Sequence, residues 1–194
     1  MNRIPDSVDV KTETGIITLV RAKENIWTNG PLLVTTAPWS NGLQIVLSAP
    51  AVAVKSLQIH WQSDLRAKWL YLGDAWERAY GDLDWKPLNP RRIMPWYFLA
   101  NHGGVTDGFG VKTGPSALCY WRIETNCISL QADVRCGGMG VQLGQRALPV
   151  CTIVCRQGQT NETPFTAVQA LCRQMCARSR MPPEPVYGFN DWYC

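Results

Sequence analysis

From Val8 to Cys155 the chain alternates between apolar and polar positions in short runs, and turn signals such as Asn29-Gly30 and Asn41-Gly42 separate the runs. A period of two is typical of strands that bury one face. The pattern predicts about ten short strands. They are expected within 8–20, 32–34, 43–47, 52–61, 67–72, 93–99, 110–112, 117–123, 128–134 and 147–155. Short strands at such spacing favour an antiparallel sandwich or barrel.

The period changes at Thr163. Thr163 and Pro164 have the residue types of a helix N-cap and a first helical position. Apolar residues then recur three and four positions apart, at Phe165, Val168, Leu171, Cys172 and Met175. Pro182 and Pro183 are expected to end the element. The sequence therefore predicts a helix from Thr163 to about Arg178 that packs on the β domain.

The last stretch, 185–194, begins with a proline, continues with a short apolar run, and ends in Asn190, Asp191, Trp192 and Tyr193 before Cys194. A buried parallel strand with a polar carboxyl end has this pattern, and so does an aromatic-rich tail. We favour the strand, since the ends of such strands carry binding groups in (β/α) barrels. The expected organisation is a β-sandwich domain at 1–160, a linker helix at 161–183 and the first strand of a truncated (β/α)₈ barrel at 184–194.

Composition argues against a nucleic-acid-binding protein and against a membrane-spanning one. The chain has 194 residues, of which 46% are hydrophobic, and a net charge of +4. The basic residues are scattered, so no nucleic-acid footprint is visible. No apolar run reaches about 18 residues, so we expect no membrane span. The N-terminus lacks the apolar core of a signal peptide, and a cytoplasmic location is expected.

All eight cysteines follow Ser116. Cys151 and Cys155 are four residues apart, as are Cys172 and Cys176, so a zinc site is conceivable. Residues four apart also share a face as ordinary core residues do, and the two histidines belong to other segments. We therefore favour buried free thiols and expect neither a metal nor a cofactor.

The segment 72–85 has too many charges for a strand. It holds four carboxylates, one arginine and three aromatic residues, with glycines at 73 and 81. Carboxylates accept hydrogen bonds from sugar hydroxyls and indole rings stack on sugar C–H surfaces. The alternative is a self-contained loop in which Arg78 pairs with Asp74 or Asp82, while Trp76 and Trp85 fill the edge of the sandwich.

A glycine-rich segment at 133–146 resembles a phosphate cradle only superficially, because it precedes a strand and offers no helix N-terminus. A hairpin with bulges is the favoured interpretation. Asp133 is expected to pair with Arg135 or Arg146.

Three stretches resemble, in the same order, landmarks of the bacterial melibiase-like α-galactosidases. They are GDAWERAYGDLDW at 73–85, DVRCGGMGVQLGQR at 133–146 and YGFNDWY at 187–193. The first resembles that family's GDxWERxYGDLxW stretch, and the last resembles the opening strand of its catalytic barrel. The resemblance implies a mainly β fold, an antiparallel β-supersandwich, followed by a (β/α)₈ barrel that carries out retaining hydrolysis.

By the same resemblance, Asn190, Asp191, Trp192 and Tyr193 are expected to line the sugar subsite. Asp191 would contact sugar hydroxyls, and Trp192 or Tyr193 would shape the wall. Trp76 and Trp85 are further substrate-binding candidates, on a loop leaning over the barrel mouth. The family's catalytic carboxylates lie on later strands, so no catalytic residue is assigned here.

Three functions are compatible with these features: the N-terminal part of a glycoside hydrolase acting on terminal α-galactosides or related sugars, a free-standing carbohydrate-binding sandwich, and a structural interaction domain. The first is favoured, since an independent module has no use for a linker helix and a further strand. The expected partner is a carbohydrate, with no nucleic acid or membrane. The 194-residue polypeptide alone is expected to hydrolyse no glycoside.

Overall fold

The computed structural model describes residues 4–40, 42–63, 68–76, 83–135, 138–180 and 183–185. Along these residues fifteen strands and one helix follow one another. They are β1 (Ser7–Thr12), β2 (Ile16–Thr18), β3 (Val20–Lys23), β4 (Ile26–Asn29), β5 (Leu32–Trp39), β6 (Gly42–Ser48), β7 (Val54–Gln62), β8 (Leu70–Gly73), β9 (Lys86–Pro87), β10 (Met94–Pro95), β11 (Tyr97–His102), β12 (Val105–Val111), β13 (Leu118–Ile123), β14 (Cys127–Asp133), β15 (Ala147–Arg156) and α1 (Pro164–Met175).

The strands form two antiparallel sheets, so the predicted mainly β sandwich is confirmed. The six-stranded sheet has the order β10-β13-β14-β7-β1-β2. The nine-stranded sheet has the order β3-β4-β5-β6-β15-β12-β11-β8-β9. Strand β7 lies at the centre of the smaller sheet, where it pairs with β14 on one side and β1 on the other.

The hydrophobic core lies between the two sheets and is built from the alternating positions of the sequence. In β7, Leu57, Ile59 and Trp61 are fully buried, while the residues between them are partly exposed. Trp61 lies against Trp121 of β13, with ring centroids 6.1 Å apart. This alternation assigns one face of each strand to the core and the other to the outside.

Helix α1 begins as the sequence predicts. The Thr163 hydroxyl accepts a hydrogen bond from the Thr166 amide at 3.1 Å, and Pro164 occupies the first turn. The helix ends at Met175, earlier than expected. The Met175 carbonyl there accepts hydrogen bonds from the Thr113 amide and hydroxyl, at 2.9 and 3.2 Å.

The buried stripe of α1 differs from the predicted one. It consists of Ala167, Leu171 and Met175, four residues apart, which pack on the outer face of the nine-stranded sheet. Phe165 is 69% exposed, and Cys172 is exposed as well. Because each residue turns the helix by about 100°, a residue two positions from Ala167 points to the opposite side.

Two glycines of β12 allow the helix to approach the sheet closely. A Cβ atom at Gly108 would lie 3.1 Å from the Leu171 side chain, and one at Gly110 would lie 2.7 Å from the Met175 sulfur. Glycine at these positions leaves room for the buried stripe of α1.

The predicted strand at 93–99 is divided by Trp96, which adopts a left-handed conformation with φ of 65°. Met94 and Pro95 pair within the six-stranded sheet, whereas β11 belongs to the nine-stranded sheet. The chain therefore crosses from one sheet to the other at Trp96. One continuous strand cannot form there, because β10, before Trp96, pairs in the six-stranded sheet and β11, after it, pairs in the nine-stranded sheet.

The predicted hairpin at 133–146 is wrong. Strand β14 lies in the six-stranded sheet and β15 in the nine-stranded sheet, so they are not hairpin partners. Between them Val141 forms an isolated bridge with Val54, through hydrogen bonds of 2.7 and 3.0 Å. The glycine-rich segment carries the chain between sheets.

Within the described ranges, no helix is both long and apolar enough to cross a membrane. The strand predicted at 184–194 falls almost entirely outside the described residues, as do Arg78 and Asp82 of the acidic loop.

Candidate functional site

Of the six substrate-binding candidates, Trp76 and Trp85 lie in the described part of the chain. Asn190, Asp191, Trp192 and Tyr193 lie outside it.

Trp76 belongs to a cluster of three aromatic rings, here called the aromatic ledge (Trp76, Trp96 and Tyr120). The Trp76 ring stands edge-on to Trp96 with centroids 5.5 Å apart and to Tyr120 at 6.2 Å. Trp76 nevertheless remains 51% exposed. A large ring that is held by neighbours and open to solvent is suited to stack on a ligand.

The backbone at Trp96 positions the ledge. Its amide donates to the Cys119 carbonyl at 3.1 Å, and its carbonyl accepts from the Val111 amide at 2.9 Å and from the Trp121 indole at 3.3 Å. These bonds hold a left-handed residue that carries a bulky side chain, a conformation that costs about 1–2 kcal/mol. Strain of this kind concentrates at functional sites.

Arg92 fastens both ends of the segment that carries Trp76. Its guanidinium donates to the Tyr71 carbonyl at 2.9 Å and the Gly73 carbonyl at 3.1 Å before the segment, and to the Asp84 carbonyl at 3.5 Å after it. Burial lowers the pKa of Arg92, and the charge of Asp84 acts in the opposite direction. Arg92 is a positioning residue for the ledge.

Trp85 has a different environment. It is half-buried and packs against the cluster under α1, which includes Leu72, Tyr97 and Leu171. Of the two tryptophans proposed from the sequence, one is therefore open to a ligand and the other fills the edge of the fold. The packing predicted for Trp85 is therefore found, whereas the sugar-binding role of Trp76 and the pairing of Arg78, which lies outside the described residues, stay predictions.

A hydrogen-bonded chain of Cys127, His60 and Asp9 crosses three strands of the six-stranded sheet. The His60 Nε2 lies 3.2 Å from an Asp9 oxygen, and its Nδ1 lies 3.7 Å from the Cys127 sulfur. A thiol, an imidazole and a carboxylate in series resemble a nucleophilic triad. However, burial, Glu124 and Asp6 raise the pKa of the Cys127 thiol, so it stays protonated and is a poor nucleophile.

Four carboxylates of the described residues lie beside basic side chains. Asp133 pairs with Arg135 and Glu162 with Arg156, and each partner holds the pKa of its carboxyl below the ordinary value. Asp9 contacts His60, and Asp107 contacts His102. Carboxylates whose pKa is lowered in this way, Asp133 and Glu162, suit the acceptance of hydrogen bonds from hydroxyl groups and do not suit proton donation.

The described cysteines are free thiols: Cys119, Cys127, Cys151, Cys155, Cys172 and Cys176. Cys119 and Cys151 are buried between the sheets, and the hydrogen bond between their side chains, together with burial, raises the pKa of Cys151. In the described residues, no three His, Cys, Asp or Glu side chains are arranged to hold a metal ion.

The ledge residues Trp96 and Tyr120 were missed from the sequence. Each lies in a run with ordinary strand character, and only tertiary structure brings it to Trp76. Comparison of the chain with protein-family models, with curated proteins and with solved structures finds no match.

Proposed function

We propose that this chain is the N-terminal β-sandwich portion of a glycoside hydrolase that acts on terminal α-galactosides or related sugars. In this proposal a (β/α)₈ barrel begins near residue 184, and Asn190, Asp191, Trp192 and Tyr193 line its sugar subsite. The three ordered stretches at 73–85, 133–146 and 187–193 support it.

The observation that carries the proposal is the exposed Trp76 on the aromatic ledge. Trp76 lies inside the first of the three stretches, and its indole is held edge-on by Trp96 and Tyr120. A sugar ring presents C–H groups that pack on an indole face. Trp76 would therefore bind and orient the substrate.

Hydrolysis would require groups beyond those described. Retention needs two carboxyl groups about 5–5.5 Å apart, one as nucleophile and one as proton donor. Asp133 and Glu162 are held ionised by arginines, which disqualifies them as donors. In this proposal the sandwich would help to bind the sugar, and the barrel would supply the carboxyl groups that hydrolyse it.

A non-catalytic carbohydrate-binding sandwich is the second candidate, favoured by the same ledge and by the paired carboxylates. The two functions differ in whether the complete gene product turns over substrate. Binding by the 194-residue chain is expected in both.

The test compares the 194-residue polypeptide with the complete gene product on aryl α-galactosides. We expect no turnover by the short form and turnover by the complete form. Trp76→Ala should lower sugar affinity about tenfold, which corresponds to about 1.4 kcal/mol of stacking. Trp39→Ala is the matched control, because Trp39 is 47% exposed but lies in the nine-stranded sheet.

Hydrolysis by the short form that disappears in Glu77→Gln or Asp82→Asn would contradict the proposal, since the chemistry would then reside in the sandwich. An inactive complete gene product that still binds sugar through Trp76 would favour the second candidate.

A further inference from the structure

The outer face of the six-stranded sheet carries a straight row of polar side chains. Asp9 on β1 lies opposite Gln58 on β7, Gln58 lies opposite Gln131 on β14, and Gln131 lies opposite Tyr120 on β13. We call these four residues the polar row. Because neighbouring strands are about 4.8 Å apart, the row extends for about 14 Å across the sheet.

The polar row runs along a groove of about 210 Å³. The next positions of the same strands form its second side, with Lys11, Ser56 and Asp133 opposite one another. Cavities for drug-sized ligands are about 300–1,000 Å³, so this groove fits a smaller unit such as one sugar ring.

Most of the ionic side chains that line the groove lie beside a partner, and Lys11 acts on Asp133 through its charge alone. The single Nε–H of Arg135 is shared between the two carboxylate oxygens of Asp133, each 3.0 Å from Nε. Lys55 lies 3.2 Å from Glu13, and Asp9 lies 3.2 Å from His60. A charged ligand would have to break or outcompete such pairs, whereas a neutral polyol can hydrogen-bond to paired groups as they stand.

The glutamines supply the remaining polarity. Gln58 and Gln131 each offer an amide donor and a carbonyl acceptor, the combination that sugar hydroxyls require. Both are partly buried, in the middle of two paired strands. Rigid strands hold binding side chains more accurately than loops.

One end of the polar row meets the aromatic ledge. Tyr120 belongs to both, and the Trp76 ring lies 6.2 Å from it. Hydrogen-bonding groups that end on an exposed aromatic ring allow one sugar unit to be bound by its hydroxyls and the next to stack.

We propose that the outer face of the six-stranded sheet binds a neutral oligosaccharide that lies across the strands, with one unit in the groove and the next on Trp76. This site goes beyond the proposed function, because it needs neither a barrel nor hydrolysis. It rests on the second candidate function, the carbohydrate-binding sandwich, and names the place where that sandwich would bind its sugar.

The test is a titration of the full 194-residue chain with neutral galacto- and gluco-oligosaccharides, followed by two-dimensional NMR of amide groups. The side-chain amides of Gln58 and Gln131 should shift and saturate. Gln131→Ala should weaken binding about 2- to 10-fold, the effect of one net hydrogen bond. Gln44→Ala is the matched control, since Gln44 lies on the outer face of the other sheet.

Three results would overturn the proposal. The first is absence of any shift up to about 10 mM sugar, a concentration that detects even millimolar affinity. The second is preferential binding of an acidic sugar or inorganic phosphate. The third is a concentration-dependent shift of the same glutamines without sugar, which would indicate that a second copy of the chain covers this face.

The result is separable from that of the proposed function. If the Gln131→Ala variant of the complete gene product loses oligosaccharide binding but keeps its turnover of aryl α-galactosides, the groove is an independent site. If the gene product has no hydrolase activity, the titration still decides whether the groove binds an oligosaccharide, because binding does not depend on turnover.

Discussion

The outer faces of the two sheets arise from the same alternation of residues, but a helix packs on one of them and the other is exposed. On the nine-stranded sheet, apolar outer residues such as Leu99 and Val154 are covered by α1. On the six-stranded sheet, most outer positions are polar and partly open, with Gln58 and Gln131 as examples, although Ser129 is buried and Ile16 and Leu118 are apolar. The residue type at the second position of the repeat thus decides whether a sheet is covered by another layer or stays exposed to solvent.

The two faces should also differ in what a substitution changes. The covered face contributes buried area and close packing, so changes there should cost stability. The open face buries little, so changes there should affect binding and leave the free energy of unfolding nearly constant. The following predictions are arranged from the largest expected effect to the smallest.

Removal of the central contact of α1 should produce the largest loss. Leu171 is fully buried, and Leu171→Ala should lower the free energy of unfolding by about 2–5 kcal/mol. Urea denaturation measures the change. Phe165→Ala, on the exposed side of the same helix, should stay within about 0.5 kcal/mol of the parent. Similar losses for both variants would mean that α1 does not pack as described.

The close approach of α1 to β12 can be tested by overpacking. Gly110→Ala would place a methyl group 2.7 Å from the Met175 sulfur and should cost about 1–3 kcal/mol. In a double-mutant cycle, Met175→Ala should relieve the clash, so the double variant should be more stable than the sum of the single effects predicts. Strict additivity would show that the two residues do not touch.

The covered and open faces should differ in their response to acid. Arg156 lowers the pKa of Glu162, and their side chains are only 13% and 8% exposed. A lowered folded pKa gives stability that is present above the usual value of about 4.3 and lost as the pH falls through the folded pKa. Glu162→Gln should lower the free energy of unfolding by about 1–2 kcal/mol at pH 7. Below the folded pKa of Glu162 the substitution should cost no stability, because the carboxyl is then protonated in the parent as well.

Asp133→Asn is the matching change on the open face. Arg135 lowers the pKa of Asp133 in the same direction, but the Arg135 side chain is 44% exposed. Its acid-dependent loss should therefore be smaller than that of Glu162→Gln, because solvent screens the pair. Denaturation curves at several pH values compare the two variants, and a larger loss for Asp133→Asn would reverse the ranking.

The polar row should contribute least to stability. Gln58→Ala and Gln131→Ala should each change the free energy of unfolding by no more than about 0.5 kcal/mol. The same thermal or urea measurements suffice. A loss above about 1 kcal/mol would show that the glutamines support the sheet and that the open face has a structural role.

The fold class was predictable because local patterns determine it. The alternation around Val8, Leu57 and Ile59 identifies strands, and Thr163-Pro164 identifies the start of a helix. Element boundaries depend on tertiary contacts, so α1 ends where Thr113 binds the Met175 carbonyl. The break at Trp96 was missed for the same reason, since only the two sheets together impose it.

Of the three residues in the aromatic ledge, the sequence identified one as a candidate site residue. Trp76 stood out by its charged, aromatic surroundings, whereas Trp96 and Tyr120 lie in sequences of ordinary strand character. The polar row was not predictable, because it depends on strand register, and register is a relation between distant segments such as Gln58 and Gln131. Asn190 to Tyr193 lie outside the described residues, and their role stays a prediction.

The aromatic ledge draws its rings from three separate parts of the chain. Trp76 follows β8 of the nine-stranded sheet, Tyr120 lies in β13 of the six-stranded sheet, and Trp96 marks the crossing between them. A folding intermediate that has formed one sheet alone cannot assemble the three rings. Recovery of ligand affinity during refolding should therefore report the docking of the two sheets, a step that depends on contacts between segments far apart in the sequence.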